Sequence, residues 1–177
     1  MSMLKRYILY GILFCCFCPA GLLAQTVMQK IDSLQKVLKT AKEDTNKVNT
    51  LNALGTQLRY SADYEGEGKY GNLALLLAEK IKYKRGVADA LTNIGASHRL
   101  LGNYEEGMKN FQTAFKIYEE IKDQRGMTAV YLNIGSIYLY KSNFPESIKN
   151  VQAAIKLSSI AAAVMAVVSM IPSMTNQ

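Results

Sequence analysis

Apolar residues recur every three or four positions along most of this chain, the spacing that gathers them on one face of a helix. The first such stripe predicts a lead helix and consists of Val27, Ile31, Leu34, Val37, Leu38 and Ala41. A polar stretch, Glu43–Asn46, then interrupts the pattern. Thr45 or Asn46 is placed to cap a second helix, because both residue types accept hydrogen bonds from free helical N–H groups. That helix is expected to run from about Lys47 to Tyr60, and the pattern stays helical almost throughout the residues that follow.

The helical pattern repeats every 40 residues. The pentad Leu51–Gly55 returns as Leu91–Gly95 and again as Tyr131–Gly135. Other features keep the same step, namely Tyr64, Tyr104 and Phe144; Ala74, Ala114 and Ala154; and Arg85-Gly86 with Arg125-Gly126. A fixed period of this size is typical of a solenoid, in which helix pairs stack and share one continuous core. The sequence therefore predicts an all-α fold, a right-handed solenoid of antiparallel helix pairs, whose assembled surface binds other proteins.

Glycines mark the expected ends of these helices. A turn at Gly102 separates the two helices of the best-preserved unit, and Asn103 is expected to cap the second. Gly126 is expected to end that unit, because glycine readily adopts the left-handed conformation that commonly finishes a helix. The second helix of the preceding unit contains Gly66, Gly68 and Gly71. Each glycine in a helix interior costs about 0.5–1 kcal/mol relative to alanine, so this helix is expected to start late or fray.

Three copies of one residue pattern can be aligned. The clearest copy has Leu91, Ile94, Gly95, His98, Gly102, Tyr104, Phe111 and Ala114; the next has Tyr131, Ile134, Gly135, Tyr138, Phe144 and Ala154; the weaker first copy has Leu51, Leu54, Gly55, Leu58, Tyr64 and Ala74. The pattern resembles the long-helix variant of the tetratricopeptide repeat, Trp-x-x-Leu-Gly-x-x-Tyr followed by Ala, Phe and Pro. The resemblance covers about residues 47–159. It implies that Gly55, Gly95 and Gly135 lie where paired helices cross closely.

Repeats and composition divide the chain into six parts. They are a signal segment at 1–24, a lead helix and linker at 25–46, a degenerate repeat at 47–86, a second repeat at 87–126, an incomplete third at 127–160 and an apolar tail at 161–177. The repeat register is lost after Leu157, and the apolar run Ile160–Ile171 is too short to span a membrane. We weigh three interpretations of this tail: a helix that covers the last repeat, a docking element for a partner or membrane surface, and a truncated remnant of a longer protein.

The N-terminal segment is typical of a secretory signal peptide. It has a basic start at Lys5-Arg6, an apolar run from Tyr7 to Phe17 and small residues up to Ala24. We therefore expect export to the periplasm or cell envelope of a bacterium after cleavage near Ala24, the alternatives being a retained anchor or a lipoprotein. All three cysteines, Cys15, Cys16 and Cys18, lie in this segment. A cleaved chain would thus have neither a disulfide framework nor a thiolate metal site.

Charge and motifs argue against several function classes. The formal net charge of +7 falls to +5 once Lys5 and Arg6 are removed, with 19 basic and 14 acidic residues left. Basic residues are dispersed among acidic ones, as on solvated helix faces, so nucleic-acid binding is not expected. His98 is the lone histidine and is expected to be a partly buried packing residue. Glu65–Lys69 superficially resembles a phosphate loop but follows no strand. We expect no catalytic residues, cofactor or metal.

One face of the first helices is left free by the predicted packing. Its candidate binding residues are Asn52, Thr56, Arg59, Thr92, Asn93, Ala96, Arg99, Leu132, Asn133 and Ser136. By the resemblance, this face lines a concave groove for an extended peptide or a partner helix, and Asn93 and Asn133 match asparagines that hydrogen-bond a ligand backbone. Arg59 and Arg99 suit acidic side chains or a terminal carboxylate. The alternative is that all ten are ordinary solvated groove residues.

These observations favour a noncatalytic, exported protein-binding module. The repeats resemble the exported N-terminal region of bacterial sensor histidine kinases, which implies a role in signal sensing beside a membrane-associated signalling partner. This sequence contains neither the histidine box nor the nucleotide-binding glycines of such a kinase. The alternatives are an envelope scaffold or assembly protein that self-associates through Ile160–Ile171, and a remnant of a sensor kinase.

Overall fold

The computed structural model describes residues 19–158, with side chains from residue 25. Seven helices account for nearly all of this part of the chain, and it contains no strand. They are α1 (Pro19–Thr40), α2 (Thr45–Tyr60), α3 (Tyr64–Lys80), α4 (Lys84–Leu100), α5 (Tyr104–Glu120), α6 (Gln124–Tyr140) and α7 (144–158). Most of the predicted signal segment and the whole apolar tail lie outside the described residues.

The helices form a solenoid. Three-residue turns join α2 to α3, α4 to α5 and α6 to α7, which makes three antiparallel pairs. The backbones of the first helices approach one another, α2 with α4 and α4 with α6, whereas those of the second helices α3 and α5 do not come as close. First helices are therefore closer together and line the inner, concave side of the stack. The all-α solenoid predicted from the 40-residue period is confirmed.

Each of the five three-residue turns between α2 and α7 contains one residue in the left-handed conformation. These residues stand 20 positions apart, with φ between 56° and 83°, and are Ala62, Lys82, Gly102, Lys122 and Ser142. The expectation that Gly126 ends a unit in this conformation is wrong, because Lys122 does so and Gly126 lies inside α6. As a result, α4 and α6 begin three residues before the repeat boundaries placed at 87 and 127.

The glycines of α3 allow neighbouring helices to pack closely and do not weaken the helix. The expectation that α3 starts late or frays is wrong, since the helix begins at Tyr64, in phase with Tyr104 of α5. A Cβ at Gly71 would lie 2.9 Å from Cγ1 of Ile94, and one at Gly95 would lie 2.8 Å from the ring of Phe111. Only a missing side chain allows these approaches, so the glycines set how closely neighbouring helices cross.

The apolar core runs along the stack. It has three parts: α1 against α2 (Ile31, Leu54, Leu58), α2 against α3 (Val48, Leu51, Ala74, Leu77, Ala78), and α4 through α6 (Leu91, Phe111, Ala114, Tyr118, Val130, Ile137). The lead helix packs as the stripe predicts, although Val37 is exposed. Asp44 caps α2 in place of Thr45 or Asn46, and Asn103 makes no side-chain capping bond. At the far end, α7 leaves Phe144, Ile148 and Ile155 exposed.

Candidate functional site

The inner face changes character along the stack. Arg59 of α2, Arg99 of α4 and Leu139 of α6 occupy the same position in three successive repeats. Leu132, two helical turns before Leu139, is also exposed, and the exposed fractions of Leu132 and Leu139 are 46% and 54%. The groove is therefore basic where α2 and α4 meet and apolar on α6.

Three of the ten candidate residues lie inside the fold instead of on the groove surface. Asn52, Asn93 and Ala96 are buried. The side-chain amide of Asn93 donates to the backbone oxygen of Asn52 at 2.9 Å, and the Thr56 hydroxyl donates to Asn93 Oδ1 at 3.3 Å. Asn52 in turn donates to the backbone oxygen of Gly86 at 3.3 Å. Sequence analysis placed Asn52 and Asn93 on an open face; the structure corrects this, because their amides join α2 to α4.

The matching residues of the third repeat make bonds within their own helix. Asn133 donates to the backbone oxygen of Ala129 at 2.9 Å, and the Ser136 hydroxyl donates to that of Leu132 at 2.9 Å. Asn133 is only partly buried. Its amide therefore stays nearer to solvent than that of Asn93, although the two residues share one position in the repeat.

Thr92 belongs to a second polar cluster. Its hydroxyl donates to the backbone oxygen of Ala88 at 2.8 Å and lies 3.3 Å from the Tyr118 hydroxyl, which donates to Asp89 Oδ1 at 2.7 Å. Arg85 forms an ion pair with Asp123 at 3.4 Å. Burial raises the pKa of Asp89, and burial beside that carboxylate raises the pKa of Tyr118. These contacts tie α4 to α5, so Thr92 is not an open ligand contact.

A buried ionic cluster lies beneath the basic part of the groove. Glu67 of α3 is fully buried, and its Oε1 is 3.2 Å from Nη1 of Arg59. Neither carboxylate oxygen accepts a hydrogen bond from a described residue, and the buried Nε of Arg99 donates none. Burial raises the pKa of Glu67 to about 7, while the charges of Arg59 and Arg99 act in the opposite direction. With Glu67 ionised, the three groups still carry one net positive charge.

Glu67 is not among the candidate residues predicted from the sequence. The stretch Glu65–Lys69 superficially resembles a phosphate loop, yet the 40-residue step aligns Glu67 with Gly107 and Ser147. A Cβ at Gly107 would lie 3.1 Å from the backbone oxygen of Gly95, which shows how little space this position offers. The sequence does contain a signal for Glu67, because a charged residue stands at a position where the other repeats have small residues.

Other kinds of site find no support in the described part of the chain. Residues 25–158 contain no group of histidine, cysteine, aspartate and glutamate side chains that could hold a metal ion. Among the described helices, none is long and apolar enough to cross a membrane. His98 is partly buried, as the sequence predicts, and its Nδ1 has no hydrogen-bond partner among the described residues.

Comparisons with known proteins agree with this architecture. The family model described as tetratricopeptide repeat matches residues 86–159. No curated protein matches the sequence. The family match and the solved structures that resemble this fold together support a tetratricopeptide-repeat protein, a class of fold that is generally a noncatalytic scaffold for protein partners.

Three of the similar solved structures illustrate the likeness. The TPR domain of Arabidopsis FLU is 19% identical, with a TM-score of 0.59 over 66% of this chain and 98% of that one. Aspartyl phosphate phosphatase F from Bacillus subtilis is 16% identical, with a TM-score of 0.67 over 81% of this chain and 42% of that one. A Rap protein complexed with competence and sporulation factor is 20% identical, with a TM-score of 0.63 over 75% and 37%. This chain thus spans less than half the length of the last two, and the likeness concerns the fold alone.

Proposed function

We propose that this protein is a noncatalytic interaction module that binds an acidic peptide segment of a partner protein along its concave face. The observation that carries the proposal is the unbalanced charge of the cluster formed by Arg59, Glu67 and Arg99. Two guanidinium groups face one carboxylate, and the buried Nε of Arg99 has no partner among the described residues. A ligand carboxylate in the groove would accept charge-assisted hydrogen bonds from the accessible N–H groups of the two guanidinium groups and would balance the excess positive charge.

The apolar half of the groove adds to the ligand's chemistry. Leu132 and Leu139 follow the arginines on the same inner face and are exposed. Helix pairs that stack side by side place neighbouring first helices about 8–10 Å apart. An extended peptide covers that distance in about three residues. The ligand we propose therefore carries a carboxylate and, about three residues away, an apolar side chain.

The cellular setting is part of the same proposal. The N-terminal segment supports export to the bacterial envelope, and the resemblance to sensor-kinase repeats supports a role in signal sensing. One similar structure is that of a Rap protein in complex with competence and sporulation factor. That complex supports a signalling use of this fold, while the ligand of the present chain remains defined by its own arginines and leucines.

Peptide binding to the full chain and to an Arg99→Leu variant tests the proposal. Leucine is what the third repeat has at this position, as Leu139, so the fold should accept it. A fluorescent peptide of sequence Leu-Ala-Ala-Glu-Glu, with a free C-terminus, serves as the probe. We expect the wild type to bind it and Arg99→Leu to bind at least tenfold more weakly, whereas Arg125→Gln, at an exposed position of α6, should bind like the wild type. Equal binding by all three chains would contradict the proposal.

A second candidate function is an envelope scaffold that self-associates at its C-terminal end. The observation that favours it is the apolar face of α7, where Phe144, Ile148 and Ile155 are exposed. Exposed apolar patches commonly mark association sites, and the sequence Ile160–Ile171 is apolar as well. Analytical ultracentrifugation of the full chain and of Ile148→Lys tests it. A scaffold predicts that the variant dissociates, and a monomeric wild type would contradict it.

A further inference from the structure

Glu67 stands in an unusual place for a carboxylate. It is fully buried, makes no hydrogen bond with a described residue, and contacts a single cation, Arg59, at 3.2 Å. A buried ion pair without supporting hydrogen bonds commonly gains less from attraction than it loses in hydration. Stability alone therefore does not explain a glutamate at this position, particularly where the equivalent residues are Gly107 and Ser147.

The same carboxylate lies where it competes with a ligand. Arg59 is one of the residues that line the groove, and 24% of its side chain is accessible. Its guanidinium group therefore contacts Glu67 on the buried side and is open to the groove on the other side. Arg99 lies near enough to Glu67 to favour its ionised form. A ligand carboxylate bound to these arginines would be separated from Glu67 by only one or two guanidinium groups. The two negative charges would therefore repel each other.

We propose that Glu67 is an internal counter-ion: it holds Arg59 in the free protein and takes up a proton from solvent when a ligand carboxylate binds Arg59 and Arg99. This inference rests on the proposed function, since it presumes that the groove binds an acidic ligand. Side-chain and C-terminal carboxylates both fit this role, because they have the same chemistry. No covalent bond changes, and the proton moves from water or buffer to a carboxylate oxygen of Glu67.

Electrostatics supports the coupling. The charged groups that act on Glu67 within the described chain are Arg59 from α2 and Arg99 from α4. A second carboxylate nearby disfavours the ionised form of the first. The pKa of Glu67 is already about 7 in the free protein, and we expect the ligand carboxylate to raise it far enough to keep Glu67 protonated at pH 8. Binding at neutral pH should therefore consume about half a proton per ligand, and close to one at pH 8.

Isothermal titration calorimetry in two buffers of different ionisation enthalpy measures this proton uptake. The full chain is titrated with the peptide Leu-Ala-Ala-Glu-Glu at pH 6, 7 and 8. We expect the wild type to take up a proton and to bind about tenfold more weakly at pH 8 than at pH 6. Glu67→Gln keeps the size of the side chain without its charge, and should bind with no uptake and an affinity that is the same at all three pH values. Glu65→Gln, exposed on the same helix, should behave like the wild type.

Several results would overturn the inference. Wild-type binding without proton uptake, or Glu67→Gln binding with the pH dependence of the wild type, would remove the counter-ion role while leaving the groove intact. No binding by either chain would instead overturn the proposed function, and the counter-ion role with it. Two further peptides, one with a C-terminal amide and one with glutamines for glutamates, distinguish the carboxylate source.

A measurement on the free protein keeps the inference testable if a variant folds poorly. Carbon-13 NMR of the wild type follows the carboxyl signal of Glu67, and nitrogen-15 NMR follows the Nε–H signals of Arg59 and Arg99. We expect the Arg59 signal to titrate with the same midpoint as Glu67, because protonation releases that guanidinium. An Arg59 signal that stays constant while Glu67 titrates would overturn the counter-ion role.

Discussion

At the scale of single residues, the turns contain positions at which a substitution should increase the stability of the fold. Lys122 adopts a φ of 57°, a conformation that costs residues other than glycine about 1 kcal/mol. Glycine adopts it without steric cost, although it gains more entropy on unfolding. We therefore expect Lys122→Gly to raise the free energy of unfolding by about 0.5 kcal/mol, measured by urea denaturation. Lys116→Gly, at an exposed position inside α5, is the control and should lower it by about 1 kcal/mol. Destabilisation by both changes would contradict the left-handed turn.

Glu67 gives the fold a pH dependence of its own. Its folded pKa of about 7 lies above the ordinary value of 4.5 because the group is buried. Between those values the folded chain keeps a proton that the unfolded chain releases, so the contribution of Glu67 to stability is fullest below pH 4.5 and is lost as pH rises to about 7. Urea denaturation should show that wild-type stability, taken relative to Glu67→Gln, falls by about 2 kcal/mol from pH 5 to pH 8. Parallel pH profiles for the two chains would contradict the assignment.

At the scale of the elements, the crossing of paired helices depends on the missing side chain of Gly95. A Cβ there would lie 2.8 Å from the buried ring of Phe111, whereas one at Gly135 would meet its nearest atom at 3.3 Å. Gly95→Ala should lower the free energy of unfolding by about 1–3 kcal/mol through overpacking. Gly135→Ala should change it by less than about 1 kcal/mol, because alanine's helix propensity offsets the tighter contact. Thermal or urea denaturation measures both, and equal effects would contradict the described crossing.

The contact between α2 and α4 depends on Asn93. Its buried amide donates to the backbone oxygen of Asn52, which no longer has this donor in Asn93→Ala. We expect that variant to lose about 1–3 kcal/mol of stability. Asn133→Ala, at the equivalent and more accessible position, should stay within about 0.5 kcal/mol of the wild type. A large effect at Asn133 with none at Asn93 would contradict this difference between the repeats.

The elements also show how far sequence reasoning reaches. The 40-residue period and the helical stripes predict the solenoid, because a repeated apolar pattern leaves few other ways to bury it. Turn positions were harder to predict, since Ala62, Lys82 and Ser142 adopt left-handed φ values without being glycine. Helix glycines were misread as weakening α3, because the α4 side chains that fill the space beside Gly68 and Gly71 are those of Ser97 and Ile94, more than 20 residues further along the chain.

The candidate site was predictable only in part for a related reason. Equivalent positions in a repeat need not have equivalent surroundings, because each unit packs on different neighbours. Asn93 is buried against α2, whereas Asn133 bonds its own helix. Arg59 and Arg99 were identified from their register on the inner face. Glu67, the buried partner of Arg59, was not identified. It belongs to α3, the second helix of its pair, and its side chain comes close to Arg59 only in the folded stack.

At the scale of the whole molecule, stacking of the repeats brings three residues that are far apart in sequence onto one surface. First helices lie on the inside, so a single residue position, occupied by Arg59, Arg99 and Leu139, becomes a row along the groove. Burial of Glu67 beneath that row leaves the arginines with an excess of positive charge. We propose that this excess charge binds a carboxylate of a partner protein.

The most direct test is nitrogen-15 NMR of the Arg99 Nε–H signal in the full chain during titration with Leu-Ala-Ala-Glu-Glu. We expect a saturable shift of this signal, and no shift on addition of Leu-Ala-Ala-Gln-Gln with a C-terminal amide, a peptide that has no carboxylate. A shift confined to α7 residues, with the Arg99 signal unchanged at saturation, would show that the peptide binds elsewhere and would contradict the account.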